Sequence, residues 1–194
     1  GSSDLEMEWA AHVIDLIPSA EKVRFHSSGT EADMMALRMA RAYTQKSKVI
    51  KFKDHFHGWN DYLVADGDGL GGIPKETLST VLVLPANDTQ TLEKTLKEDS
   101  DIAAIIIEPT GAHMGLEPVL PSFLEDLRRL SSEYGIVLIF DEVVTGFRIS
   151  SGGAQKYYGV TPDLTTLAKI LGGGLPGGAV CGKADIINMI ETKD

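Results

Sequence analysis

Four short apolar runs, at residues 49–52, 81–84, 103–107 and 136–140, the first interrupted only by Lys51, constrain the fold more than any other feature of the sequence. Near-continuous hydrophobicity over four or five residues, without the alternation of a half-solvated strand, is the pattern of strands buried on both faces. Helical patterns near residues 91–97 and 121–134 separate the last three runs. Strands alternating with helices predict an α/β domain with a mainly parallel central sheet, right-handed crossovers and helices on both faces. Ahead of these runs, Leu5, Trp9, Val13, Leu16 and Ile17 recur at helical spacing until Pro18 stops the helix. A run at 23–26 then leads through Ser28-Gly29-Thr30-Glu31 into a helical stretch over 32–43.

The chain's 194 residues, 43% of them hydrophobic, suffice for one domain with a sizeable core. A net charge of −10 with no basic stretch argues against a nucleic-acid partner. No apolar run reaches the roughly 20 residues of a membrane span. The single cysteine, Cys181, cannot form an internal disulfide, and a reducing, cytoplasmic setting is expected. Position 1 is not Met, the first residues have no secretion-signal pattern, and a fresh helical pattern at 184–191 has no stop signal before residue 194. The chain therefore reads as a fragment.

In parallel sheets, ligands bind beyond the carboxyl ends of the strands, so chemistry is expected where the apolar runs stop. They stop at His26, before the loop over 55–61, at Glu108 and at Asp141. Ser28 and Glu31 have the spacing of a capping box, while Gly29 and the helix start also suit a phosphate, which free N–H groups and the helix dipole would attract. Asp141 ends a buried run, where an ionised carboxylate calls for a cationic partner; a salt bridge or helix cap would meet that need equally. Lys169 sits among Leu167, Ala168, Ile170 and Leu171, ahead of glycines at 172–174, 177 and 178. Desolvation there would make its amine a usable nucleophile, although a lysine can also snorkel from a strand edge. Phe56-His57-Gly58-Trp59 offers aromatic faces beside a glycine, suited to stacking on a flat ring. His55 and His57 lack a third ligand at zinc spacing. Glu108, Asp141 and Glu142 could instead share a divalent cation in a hydrolase.

Taken together, Ser28-Gly29-Thr30-Glu31-Ala32, Phe56-His57-Gly58-Trp59, Glu108-Pro109, the segment from Asp141-Glu142-Val143 to Arg148, and Thr165-Thr166-Leu167-Ala168-Lys169 with its glycine loop closely resemble the class III pyridoxal-phosphate (PLP) aminotransferases, among them glutamate-1-semialdehyde aminomutase and its relatives. The resemblance runs over almost the whole chain, in the family's order. It implies the large, cofactor-binding domain of fold type I over residues 1–194, without the family's N-terminal segment and C-terminal small domain. It also implies PLP-dependent amino-group transfer on a small-molecule amino donor or amino acid, in a homodimer.

Site roles follow residue by residue from the same resemblance. Lys169 would form the Schiff base with PLP and shuttle the proton. Asp141 would pair with the protonated pyridine nitrogen. Val143 and Phe56 would enclose the ring, with His57 beside Phe56. Ser28, Gly29 and Thr30 would hold the phosphate, and Glu108 would support the ring-binding residues. Two positions depart from the family pattern: Phe56 replaces a frequent tyrosine, and His113 a frequent asparagine. A PLP-binding fragment without turnover stays open beside the amino-group transferase and the metal hydrolase.

Overall fold

The computed structural model describes residues 3–64 and 71–190, apart from the side chains of residues 113 and 114. Its elements in chain order are α1 (Asp4–Leu16), β1 (Lys22–His26), α2 (Gly29–Thr44), β2 (Lys48–Phe52), α3 (Lys75–Leu78), β3 (Val81–Leu84), α4 (Thr89–Glu98), β4 (Ile102–Ile107), α5 (Ala112–Gly115), β5 (Glu117–Pro118), α6 (Pro121–Glu133), β6 (Val137–Asp141), α7 (Gly153–Tyr158), β7 (Leu164–Ala168), β8 (Gly178–Gly182) and α8 (Ala184–Ile187).

Seven strands form one sheet in the order β1-β8-β7-β6-β4-β2-β3. The steps from β7 through β6, β4 and β2 to β3 are parallel. At the other end β8 runs antiparallel to both β7 and β1. Residues 169–177 are all that join β7 to β8, and a parallel return needs a crossover of a dozen residues or more. The sheet is thus mainly parallel, as expected, with an antiparallel end at β8 and β1.

Helices cover both faces, as strands that are apolar on both sides demand. On one face α4 and α6 bury Leu92, Leu96, Phe123, Leu124 and Leu127 against Ile50, Ile105 and Leu138. On the other, α2 packs Ala36, Leu37, Met39 and Ala40 over Val49, Ala104, Ile106, Ile139 and Val180. A third cluster seats α1 through Val13 and Ile17 against Leu167, Ala179 and Cys181, with Trp9 stacked on Phe25 at 4.1 Å. Leu5, at the start of the α1 stripe, is 77% exposed and contributes nothing to this core. Strands β4 and β6 are buried throughout, as their sequences predict. The run at 81–84 is not: β3 is the outer strand and its side chains are half-buried, because continuous hydrophobicity does not distinguish an edge from the middle of a sheet.

Candidate active site

The carboxyl ends of β2, β4, β6 and β7 and the first turn of α2 converge on a cavity of ≈ 190 Å³. Seven of the residues singled out in the sequence line it: Gly29, Thr30, Phe56, Glu108, Asp141, Val143 and Lys169. The remaining lining residues are Asp33, Gly58, Val144 and Ala168.

Ser28 is the N-cap of α2, its hydroxyl accepting from the Glu31 N–H at 3.2 Å, while the Glu31 carboxylate accepts from the Ser27 N–H at 2.8 Å. The capping box predicted from the sequence is thus present, displaced by one residue on its return arm. The N–H groups of Gly29 and Thr30 are the first two of the helix, where no carbonyl lies one turn back within it to receive them. Close packing fixes this turn. A Cβ on Gly29 would stand 2.8 Å from Val143 Cγ2, and one on Gly58, whose φ is +85°, would stand 2.9 Å from Thr30 Cα. Only glycine fits these two approaches, and they bring the loop after β2 and the segment after β6 against the start of α2.

Asp141 finds its partner in His57. His57 Nδ1 lies 2.7 Å from Asp141 Oδ2, and the Val143 N–H donates to Asp141 Oδ1 at 3.0 Å. Among the described residues, the buried His57 Nε2 has no hydrogen-bond partner. Glu108, between these strands at the end of β4, accepts from the Phe56 N–H at 2.9 Å, and its own N–H donates to His55 Nδ1 at 3.1 Å. Burial raises the Glu108 carboxyl above its ordinary range, against the opposing Phe56 N–H and the neighbouring His57. Phe56 is 56% exposed, edge-on to Trp59 with ring centres 6.2 Å apart.

Lys169 departs from its expected environment. It follows the last residue of β7 with φ +47°, a left-handed conformation uncommon outside glycine, and its side chain is exposed at the cavity instead of desolvated. The apolar neighbours in sequence belong to the sheet and the following turn: Ala168 and Leu171 are buried, Lys169 is not. A strained non-glycine residue at a strand end, facing a cavity, is a mark of functional positioning.

Glu142 does not join the site. It is fully buried and accepts from Thr145 Oγ1 (2.9 Å), Ala154 N (2.5 Å), Gln155 N (3.1 Å) and Gln155 Nε2 (2.9 Å), at the start of α7. Its carboxylate is taken up there, away from the cavity that Asp141 lines, so the two do not share one cation site. Among the described residues no group of three His, Cys, Asp or Glu side chains is placed to hold a metal ion, and the hydrolase alternative loses its ligand set. The side chain of His113 lies outside the described residues.

Sequence reasoning missed Asp33. It is 1% exposed, receives a 2.6 Å hydrogen bond from Thr166 Oγ1 and adjoins Asp141. The signal was available: Asp33 shares the buried stripe of α2 with Ala32, Ala36, Leu37 and Ala40, where a carboxyl is out of place.

Residues 2–194 match the family described as Aminotransferase class-III. The chain is 52% identical over 195 residues to a glutamate-1-semialdehyde 2,1-aminomutase of Desulfotalea psychrophila, covering 95% of this chain and 45% of that protein. It is 49% identical to the enzyme of that name from Sulfolobus acidocaldarius, covering 97% and 47%. It therefore spans about half the length of the curated relatives it matches. Among solved structures, an omega-transaminase from Sphaerobacter thermophilus superimposes with a TM-score of 0.91 at 40% identity, over 98% of this chain and 47% of that one. A transaminase with PLP bound does so with a TM-score of 0.93 at 32% identity, over 100% and 48%. The chain belongs to the class-III aminotransferase family.

Proposed function

We propose that the protein carries out PLP-dependent amino-group transfer, as an aminotransferase or a 2,1-aminomutase, with Lys169 as the residue that holds the cofactor. The observation that carries this reading is the convergence, on one cavity, of three features: an amine on a strained backbone at Lys169, a fixed carboxylate at Asp141 and two free N–H groups at the start of α2. This donor set fits PLP group by group. The helix start suits its phosphate, Asp141 its ring nitrogen and Lys169 its aldehyde carbon. When bound, PLP supplies a carbonyl carbon for amines and a ring that draws electrons from the adjoining carbon.

Each residue's task follows from its surroundings. Lys169, exposed at the cavity, would hold the cofactor through its amine and would take up and return a proton at the substrate carbon. Asp141 has both oxygens fixed by His57 and Val143, so its carboxylate would meet a protonated ring nitrogen without reorganising. Gly29 and Thr30 would hold the phosphate, and Ser28 contributes by capping the turn that presents them. Phe56 and Val143 would enclose the ring, and Glu108 holds the Phe56 backbone in place.

The reading extends to the family's large, cofactor-binding domain, a homodimer, a cytoplasmic setting and a small-molecule amino substrate. The exposed Phe56 and Trp59 on the cavity loop are surfaces that a second copy would cover. Titration of the full-length protein with PLP, borohydride reduction and peptide mapping test the central claim. The pyridoxyl group is expected on Lys169; a label elsewhere, or none, overturns it. In Lys169→Ala, PLP should still bind without a covalent link, and turnover should vanish.

A further inference from the structure

Three carboxyl groups, Asp33, Glu108 and Asp141, share the cavity with one amine, that of Lys169. Asp33 lies within side-chain hydrogen-bonding reach of Asp141, and the two are 1% and 5% exposed. Two buried carboxylates in contact cannot both be ionised, so the pair holds one proton. The surrounding donors say which residue holds it. Asp141 accepts on both oxygens, from His57 Nδ1 and from the Val143 N–H, and is satisfied as the anion. Asp33 accepts on Oδ1 from Thr166 Oγ1. Its carboxyl therefore has a proton to give toward Asp141.

We propose that Asp33 is a positioning residue that, as the neutral acid, donates a hydrogen bond to the Asp141 carboxylate while accepting one from Thr166. The arrangement limits the pair to a single negative charge, the amount needed to meet one ring cation, and fixes the Asp141 carboxylate from a third side. Burial first, and then the Asp141 charge, raise Asp33 well above its ordinary value of 3.8, with Thr166 opposing. Glu108 adds to the rise, and His57 and Lys169 are the cationic or titratable groups nearest the same cavity.

The linkage has a definite sign. A carboxyl whose affinity for its proton rises on folding stabilises the fold below its unfolded value, and that contribution is lost as pH climbs toward the folded value. Asp33→Asn keeps a donor toward Asp141 and an acceptor toward Thr166 but has no proton to lose. In the full-length apoprotein it should melt above wild type at about pH 8, with the gain shrinking toward about pH 5. Asp33→Asn should hold PLP within about threefold of wild type, whereas Asp33→Leu should weaken it by about tenfold or more. An Asn variant that melts at or below wild type across this range would overturn the proposal, because Asp33 would then be serving as an anion. So would a Leu variant with wild-type PLP affinity. The role toward PLP rests on the function proposed above, and the two fail differently. Wild type that binds no PLP defeats the function, while the apoprotein melts still judge the Asp33 proton.

Discussion

His57 Nδ1 and Asp141 Oδ2 lie 2.7 Å apart with both side chains buried, although one residue sits in the loop after β2 and the other ends β6, two strands away. Glu108, on the strand between them, holds the same loop through the Phe56 N–H. The loop that carries Phe56 is thereby tied to two strand ends, and the carboxylate that would face the cofactor is tied to the loop.

Removing His57 should therefore be felt through Asp141. In His57→Ala, Asp141 Oδ2 loses a buried partner worth about 1–3 kcal/mol, so PLP affinity should fall by roughly ten- to a hundredfold while the protein stays folded. Equilibrium dialysis against PLP, with circular dichroism as the control for folding, checks it. Unchanged affinity would show that Asp141 is held adequately by Val143 alone.

Asp141→Asn should reduce turnover on the order of a thousandfold, because a neutral amide cannot keep the ring nitrogen protonated. Folding should change little, since the amide is nearly the same shape. Steady-state rates with an amino donor, beside thermal melts of both proteins, separate the two effects. Near-normal turnover would remove Asp141 from its proposed role.

Gly58→Ala should lower stability by roughly 1–3 kcal/mol, through a positive φ that alanine resists and a Cβ driven against Thr30. Since Thr30 belongs to the phosphate-binding turn, PLP affinity should drop with it. Denaturant melts and a PLP titration on the same variant test both parts, and a fully stable Gly58→Ala would contradict the close approach.

Asp163 supplies a pH prediction remote from the site. It accepts from Arg128 Nη2 at 3.0 Å, Lys183 Nζ at 2.6 Å and the Leu138 N–H at 2.9 Å. Burial alone would raise this carboxyl, but Lys183, Arg128 and the Leu138 N–H outweigh it and hold it below its ordinary value of 3.8. A depressed carboxyl stabilises the fold above its unfolded value, and that contribution disappears as pH falls through the folded one. Asp163→Asn should cost about 3 kcal/mol at neutral pH, and the difference from wild type should narrow on acidification below 3.8. Melting curves across that range decide it.

Apolar runs and capping spacing are local properties of the chain, and they suffice to place the strands β2, β4 and β6, the helix after Ser28 and most of the residues around the cavity. They also place Glu108, Asp141 and Lys169 at strand ends, where the runs break. Which of these residues meet is set by the packing of the assembled sheet and helices. Glu142 and Asp141 are neighbours in sequence, yet one is held at α7 and the other lines the cavity. Lys169 reads as buried from its apolar neighbours, yet the turn after β7 exposes it. Asp33, one turn into α2, gives no sign in sequence of its contact with Asp141. That contact exists because α2 crosses the face of β6 and β7, and strand order, which pairs segments over a hundred residues apart, is a property of the assembled sheet and of no local stretch.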